Sequence, residues 1–298
     1  MKTLIIGSSG QLGQTLIKTK PIDTEIIQCS RNELDLSIPK NIYNYILGIN
    51  PDCIINSAAY TNVDQAEKET DLAFKVNAES PNLIASVAAE INAKLIHIST
   101  DFVFDGENNT SYNTDEITNP LGAYGKSKAK GELLVMKYKN TKVIRTSWLY
   151  GNFGRNFCIT MLRLHKEKSL SNDPLFVVAD QIGVPTSTYS LAKVCWKLLS
   201  TSIDFKNIPP LLHWCDAGVC SWYDFAIAIG EIGFKNGLIE KIAKVIPIKS
   251  NEYQTLAKRP HFSLLNCDET MKYLNIEQPY WREELTKVIQ NIASEKNS

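Results

Sequence analysis

The chain has 298 residues, 44% of them hydrophobic, and its 32 lysines and arginines are balanced by 32 aspartates and glutamates. That length and apolar content suffice for one large domain or two modest domains with a substantial core. The charge balance provides no basic stripe that would neutralise phosphates, which argues against a nucleic acid as partner.

The first half of the chain alternates short apolar runs with helix-compatible segments. Strands are predicted at residues 2–6, 25–29, 53–56, 94–98 and 142–145, and helices at 11–18, 71–91 and 124–138. Such alternation is typical of a doubly wound parallel sheet with helices on both faces. We therefore predict an α/β fold with a Rossmann-type dinucleotide-binding domain at residues 1–150.

A glycine-rich turn follows the first predicted strand. It reads Gly7-Ser-Ser-Gly10-Gln-Leu-Gly13 and leads into a helix-compatible stretch. Glycine lets the backbone approach a pyrophosphate closely, and the N-terminus of the following helix favours an anion. The spacing differs from the Gly-x-Gly-x-x-Gly of the general dinucleotide fingerprint, and a plain strand-to-helix turn is the alternative interpretation.

The second predicted strand ends at Ser30 and Arg31 without an acidic residue. In dinucleotide sites an acid about 20 residues beyond the glycines binds the ribose 2′-hydroxyl, whereas an arginine accommodates a 2′-phosphate. The strand end therefore favours NADPH as the cofactor. Glu33 and Asp35 lie close behind, so NADH stays an alternative, and a solvated loop residue is the other interpretation of Arg31.

Small, hydroxyl and acidic residues follow three further predicted strands. The segments are Asn56-Ser-Ala-Ala59-Tyr60-Thr61, Ser99-Thr100-Asp101 and Arg145-Thr-Ser-Trp148-Leu-Tyr150. Ligands of open parallel sheets bind at the carboxyl ends of the strands, so these segments suit a cofactor, and the Thr100 hydroxyl suits a substrate carbonyl. Turn capping and packing are the alternative, which requires three coincidences at three strand ends.

Tyr124 and Lys128 share one face of the predicted helix 124–138 because they stand four residues apart. An ammonium beside a phenol stabilises the phenolate and is expected to lower the tyrosine pKa towards neutrality. Alone the pair is weak evidence, since this spacing is common on solvated helix faces. With the glycine turn and Thr100, it predicts reduction of a carbonyl by a nicotinamide cofactor, with Tyr124 as the proton donor.

Beyond Gly151 aromatic residues, prolines and irregular stretches become frequent. Helical segments near 221–232 and 280–293 carry apolar residues at core spacing. We predict a smaller α/β substrate-binding domain at residues 151–298, with segments that return to the first domain.

Seven cysteines are scattered along the chain without a Cys-x-x-Cys pair, a pattern typical of a reducing cytosol. His213, Cys215 and Cys220 lack a second pair of ligands, so no metal site is expected. A cleavable leader and an apolar run of the ~20 residues needed to span a membrane are both missing from the sequence. A cytoplasmic protein without a membrane partner is therefore expected.

These motifs resemble those of the extended short-chain dehydrogenase/reductases, and within them the dTDP-4-dehydrorhamnose reductase family. The first blocks that carry the resemblance are the glycine turn, Ala58–Thr61, Ser99–Gly106, Tyr124–Lys128 with Gly131-Glu132, and Arg145–Gly151. Later blocks are Asn156-Phe157, Asp180–Thr186, Ser221–Ala226, Arg259-Pro260 and Trp281–Leu285. The resemblance therefore spans nearly the whole chain.

The resemblance implies reduction of the 4-keto group of dTDP-4-dehydro-β-L-rhamnose to dTDP-L-rhamnose, which supplies an activated deoxysugar for surface polysaccharide. It implies Thr100, Tyr124 and Lys128 as catalytic residues, and Thr100, Asp101 and Trp148 as residues facing the dTDP-sugar. The motifs and the resemblance together predict these cofactor-binding residues: Gly7, Gly10, Gln11, Leu12, Gly13, Ser30, Arg31, Asp35, Leu36, Ala59, Tyr60, Thr61, Tyr124 and Lys128.

The sequence departs from the family pattern at two places. Phe102 stands where the family has a tyrosine, so that hydroxyl is missing. Some members dimerise through magnesium bridged by glutamates, but Gln14-Thr15 just after the glycine turn carry no acid, so a metal-bridged dimer is not expected and a homodimer of another kind stays open. The alternative functions are reduction of another 4-keto nucleotide sugar, and a non-catalytic regulatory role like that of a methionine adenosyltransferase subunit.

Overall fold

The computed structural model of the protein describes residues 1–297, and a parallel sheet of six strands lies at their centre. The strands of this sheet are β1 (Lys2–Ile6), β2 (Glu25–Cys29), β3 (Cys53–Asn56), β4 (Lys94–Thr100), β5 (Thr141–Thr146) and β10 (Leu211–His213). The remaining strands are short: β6 (Leu149–Tyr150), β7 (Leu175–Val178), β8 (Ile182–Gly183), β9 (Thr186–Ser187), β11 (Cys220–Ser221) and β12 (Val245–Ile248).

The sheet has the order β2-β1-β3-β4-β5-β10, and all of its neighbouring strands are parallel. Successive residues of a strand point to opposite faces, so each strand contributes to two cores. Leu4 and Ile54 belong to one core, whereas Ile5 and Ile55 belong to the other. The predicted doubly wound α/β fold is confirmed. The strand order runs outwards in opposite directions from β1 and β3, and ligands of such folds bind at this switch point.

Helices cover both faces of the sheet and fill the second half of the chain. They are α1 (Gln11–Lys18), α2 (Ile42–Ile49), α3 (Val63–Ala66), α4 (Thr70–Phe74), α5 (Ser80–Glu90), α6 (Ala123–Val135), α7 (Phe157–Ser171), α8 (Thr188–Ser200), α9 (Trp222–Lys235), α10 (Asp268–Leu274) and α11 (Trp281–Asn297). Within residues 1–297, no helix has the length and apolar character required to cross a membrane.

The predicted helix 71–91 is interrupted. A π-helical turn, Lys75–Glu79, separates α4 from α5. Helix α6 crosses this turn at Gly131, where an added Cβ would lie only 2.1 Å from the carbonyl oxygen of Asn77. The close crossing and the side-chain bonds of Asn77 depend on residues far away in the chain, so hydrophobic periodicity did not reveal the interruption.

The second half of the chain packs directly onto the first. Strand β10 pairs with β5 at the edge of the main sheet, and α8 packs on α1, where the Thr15 hydroxyl donates to Thr188 Oγ1 at 2.9 Å. Three two-stranded sheets, β6 with β9, β7 with β12 and β8 with β11, complete this half. A domain boundary at residue 150 stays a prediction, and Ser298, the last residue of the predicted second domain, lies outside the described residues.

Candidate active site

A cavity of about 640 Å³ opens at the carboxyl ends of the central strands. Its walls come from the segments that follow β1 to β5, from α6, and from two pieces of chain beyond β6. All of the predicted site residues line it except Gly13. Pockets for cofactors and small substrates usually have volumes of a few hundred to about a thousand Å³, so this cavity is large enough for such ligands.

Gly13 lies in α1 and packs closely against Gly7 and Ser8 of the glycine turn. A Cβ added there would come within 2.2 Å of the Gly7 carbonyl oxygen, so glycine lets the helix pack on the turn. Gly13 thus shapes the turn and does not line the cavity itself, and its role in cofactor binding stays a prediction.

The glycine turn presents backbone N–H groups to the cavity. Gly7 has φ +84°, and its own N–H donates to the Cys29 carbonyl at 2.8 Å, which ties the turn to the end of β2. Gly10 caps α1 without any side chain of its own, and Gln11 and Leu12 form the first helical turn. Helix geometry leaves the N–H groups of that turn without intrahelical partners. The turn therefore fits a pyrophosphate.

The loop after β2 carries an exposed cation at one end of the cavity. Arg31 uses its Nε to bind Asp35 Oδ2 at 3.2 Å, and 76% of its side chain is exposed. Glu33 instead accepts hydrogen bonds from the N–H and hydroxyl of Ser30, which hold its pKa below the ordinary range. The carboxylate of Glu33 is therefore already hydrogen-bonded to Ser30, while most of the Arg31 side chain is exposed to solvent.

Asn77 holds the cavity wall formed by the loop after β3, and sequence reasoning did not single it out. Its Oδ1 accepts the Tyr60 N–H at 2.8 Å, and its Nδ2 donates to the Tyr60 carbonyl at 3.1 Å and to Ser127 Oγ at 3.0 Å. These bonds join the loop to α6. The available signal was an amide within a largely apolar helical stretch, which becomes meaningful only when its partners are known.

Thr100, Tyr124 and Lys128 all line the cavity. Thr100 Oγ1 donates to Asp101 Oδ1 at 3.0 Å, and the Tyr124 ring packs edge-on against Phe102. Lys128 is buried, and its Nζ donates to the Ile98 carbonyl at 2.6 Å. The i and i+4 spacing on α6 thus brings phenol and ammonium to the same wall.

The acid–base character of this trio differs from the expectation in one respect. Burial raises the pKa of Tyr124 to about 12, and the negative charge of Asp101 acts in the same direction while Thr100 opposes it. Burial also lowers the pKa of Lys128 to about 8. The expected lowering of the Tyr124 pKa is therefore wrong for the chain by itself, because desolvation of the buried phenol outweighs the hydrogen bond with Thr100, and Lys128 is not among the groups that shift this pKa.

Asp101 supplies a buried acceptor to the cavity wall. The carboxyl is 2% exposed, and its Oδ2 meets no donor in hydrogen-bond geometry, although the Ser263 side chain lies close enough to lower the pKa of the carboxyl. Burial raises the pKa of Asp101 to about 6. Buried polar atoms are nearly always paired, so this oxygen is suited to a hydroxyl group of a bound ligand.

Two stacked tryptophans form the opposite wall of the cavity. Trp148 and Trp222 have ring centroids 3.6 Å apart and an interplanar angle of 10°. Trp148 has φ +42°, a region that bulky residues rarely adopt and that often marks functional sites. Trp222 begins α9, and Arg155 lines the cavity from the loop before α7. Neither Trp222 nor Arg155 was predicted as a site residue, since only the tertiary packing brings them there.

Comparisons with known proteins identify relatives over the whole length of the chain. The family model described as the RmlD substrate binding domain matches residues 1–294. A dTDP-4-dehydrorhamnose reductase of Aggregatibacter actinomycetemcomitans is 38% identical and covers 96% of this chain and 98% of its own. The spore coat polysaccharide biosynthesis protein SpsK of Bacillus subtilis is 37% identical over 98% of both chains. A solved dTDP-4-dehydrorhamnose reductase of Bacillus anthracis in complex with NADP has a TM-score of 0.88 and 35% identity, over 97% of this chain and 99% of its own.

Proposed function

The chain belongs to the RmlD substrate binding domain family, and on this premise we propose that it reduces the 4-keto group of dTDP-4-dehydro-β-L-rhamnose to dTDP-L-rhamnose with NADPH. The names of its relatives support the substrate, and the NADP of the Bacillus anthracis enzyme supports the cofactor. One observation carries the proposal: a single cavity joins the glycine turn, an exposed arginine after β2, and the trio Thr100, Tyr124 and Lys128.

The cofactor is assigned to the cavity wall formed by the strand ends. The N–H groups of Gln11 and Leu12 are suited to its pyrophosphate, and Arg31 to its 2′-phosphate. Asp35 and Leu36 are assigned to the adenosine side. The predicted contacts of Ala59, Tyr60 and Thr61 are kept for the middle of the cofactor, since all three line the same wall.

The chain's own residues supply the proton and the stabilisation of charge. The bound nicotinamide supplies the hydride. As negative charge develops on the ketone oxygen, the hydroxyls of Thr100 and Tyr124 donate hydrogen bonds to it, and Tyr124 yields its proton. A Tyr124 pKa of about 12 keeps the phenol protonated at neutral pH, as a proton donor must be. Lys128, with a pKa of about 8, then returns a proton to the phenolate.

The sugar is assigned to the wall formed by Asp101, Trp148 and Trp222. Asp101 Oδ2 accepts from a sugar hydroxyl, and the tryptophan pair offers an aromatic surface that packs against a ring. Arg155 adds a cation close to the glycine turn, since Gly154 beside it lies near Gln11. A homodimer and a cytoplasmic location stay predictions from the sequence.

An assay of the purified protein tests this proposal. NADPH oxidation is followed with dTDP-4-dehydro-L-rhamnose and, in parallel, with GDP- and UDP-4-keto sugars. We expect turnover with the dTDP sugar and formation of dTDP-L-rhamnose. Faster turnover with another 4-keto sugar would replace the substrate assignment. No oxidation with any of them, together with tight binding to methionine adenosyltransferase, would contradict the catalytic proposal and favour the regulatory alternative.

A further inference from the structure

His97 lies directly behind Lys128, in the middle of β4, and none of the site residues assigned above includes it. The imidazole is 1% exposed. Its Nε2 lies 3.5 Å from Lys128 Nζ, and its Nδ1 lies 3.1 Å from Asn56 Nδ2. A buried chain of polar groups therefore runs from β3 through His97 to the ammonium group at the cavity wall.

The contacts of Asn56 fix which imidazole nitrogen carries the proton. Asn56 Oδ1 accepts the Ala58 N–H at 3.2 Å, so the amide turns its NH₂ group towards His97. His97 Nδ1 must then accept. Burial and the neighbouring ammonium hold the pKa of His97 well below the ordinary value of 6.5, so the ring is neutral. A neutral ring with an accepting Nδ1 carries its single proton on Nε2, facing Lys128.

This tautomer distinguishes the two protonation states of Lys128. The ammonium has three protons to donate, and the Ile98 carbonyl accepts one of them. With the proton on Nε2, His97 offers an N–H and no acceptor to the Lys128 ammonium. The neutral amine has a lone pair there, which accepts the Nε2–H. The histidine therefore favours release of a proton from Lys128.

Other charged groups near Lys128 act in different directions. Glu132, one turn further along α6, favours the ammonium, but Arg145 binds it at 2.7 Å in a buried ion pair. Asp101 and Tyr124 line the same cavity as the lysine. His97 and Tyr124 are therefore both neutral near pH 7, and the effect of His97 on Lys128 comes from hydrogen-bond direction.

We propose that His97 is a positioning residue for the reduction assigned above: held by Asn56 with its proton on Nε2, it receives the Lys128 amine each time the lysine gives a proton back to Tyr124. The inference rests on the proposed function. Its proton balance is closed. Tyr124 gives its proton to the alkoxide, Lys128 gives one to the Tyr124 phenolate, the amine accepts the Nε2–H hydrogen bond, and a proton from water restores the ammonium.

The first test compares the pH dependence of kcat in two variants and a control. His97→Leu removes both ring nitrogens, whereas His97→Gln keeps an acceptor for Asn56 and an N–H for Lys128. With leucine we expect kcat near neutral pH to fall about tenfold and its basic limb to move up by about one pH unit, the effect of one hydrogen bond. Glutamine should restore most of both. The control His213→Gln replaces another buried histidine of the sheet, which faces Arg145 at 3.3 Å outside the cavity, and should leave the profile unchanged.

The second test reads the tautomer itself without turnover. Nitrogen-15 NMR of the four histidines, with His97 identified by its variant, should show a neutral ring protonated on Nε2 between about pH 6 and pH 9. A proton on Nδ1, an imidazolium, or a leucine variant with the wild-type pH profile would overturn the inference. These outcomes presuppose an active wild type. If the wild type reduces no keto sugar, the proposed function fails instead, while the tautomer can still be read.

Discussion

The two halves of the molecule build the cavity in different ways. Up to Trp148, most wall residues lie at the end of a strand of the central sheet, in the segment directly after it, or on α6. The others, Val63, Leu72 and Val76, lie on α3, α4 and the π-helical turn. The second half contributes Arg155 and Trp222, which belong to a loop and a helix start outside that sheet. The difference suggests that chemistry and cofactor binding reside in the first half, while the second half governs the fit of the sugar.

Tyr124→Phe has the largest expected effect, and it tests whether the chemistry resides in the first half. The phenylalanine keeps the ring packed on Phe102 but removes the proton donor. We expect kcat to fall by about 10² to 10⁴ while the affinity for NADPH, measured by fluorescence titration, changes less than about twofold. Tyr189→Phe, which removes a hydroxyl bound to Asn152 on the second half, should keep kcat. An unchanged kcat for Tyr124→Phe would remove this tyrosine from the mechanism.

Asp216→Asn tests whether a buried carboxyl of the second half affects only the stability of the fold and not the reaction. Asp216 Oδ2 accepts the Ser187 N–H at 3.0 Å, and burial raises the pKa of the carboxyl to about 7 even though the Ser190 side chain lowers it. Since the folded-state pKa lies above the ordinary 3.8, the stability due to the protonated carboxyl is complete below about pH 4 and is lost as pH rises through about 7. Asparagine has no charge to bury. Its advantage in free energy of unfolding should therefore grow by about 2 kcal/mol between pH 5 and pH 8.

Urea unfolding at several pH values measures this difference. Asp173→Asn is the control, because hydrogen bonds from Ser171 and Lys168 hold the pKa of that exposed carboxyl below its ordinary range. The control should show no gain towards pH 8. An advantage of Asp216→Asn that does not vary with pH would mean that folding does not raise the pKa of this carboxyl, so that it is charged in both the folded and the unfolded state over this range. A loss of turnover would give Asp216 a role in the reaction.

The same division explains what the sequence could predict. The first three strands of the sheet were predicted with the bounds that the structure has, because apolar runs and glycine turns are local signals. The Trp148–Trp222 stack joins residues far apart in the chain, and no local pattern announces it. The direction of the Tyr124 pKa shift depends on how deeply the phenol is buried, which i and i+4 spacing does not reveal. The role assigned to His97 depends on the direction in which one distant amide points.

Trp222→Ala tests whether the second half governs the fit of the sugar. The alanine removes one ring of the stack, and the Ser221 cap of α9 stays in place. We expect KM for the dTDP sugar to rise about tenfold, since aromatic contacts contribute roughly 1 kcal/mol beyond the buried area, with little change in NADPH affinity. Trp222→Phe should recover most of the loss. Steady-state kinetics with each substrate varied in turn measures the split, and an equal loss for cofactor and sugar would contradict the division.

Arg31→Ala is the smallest expected effect and sharpens the comparison from the side of the first half. Because 76% of the side chain is exposed, water and salt screen its attraction for a phosphate, so NADPH affinity should fall only about fivefold. NADH lacks the 2′-phosphate, and its affinity should stay the same. Arg163→Ala is a matched control, an exposed arginine that also pairs with an acid four residues on, but on α7. Equal losses for both cofactors would show that Arg31 orders its loop through Asp35 and does not select NADPH.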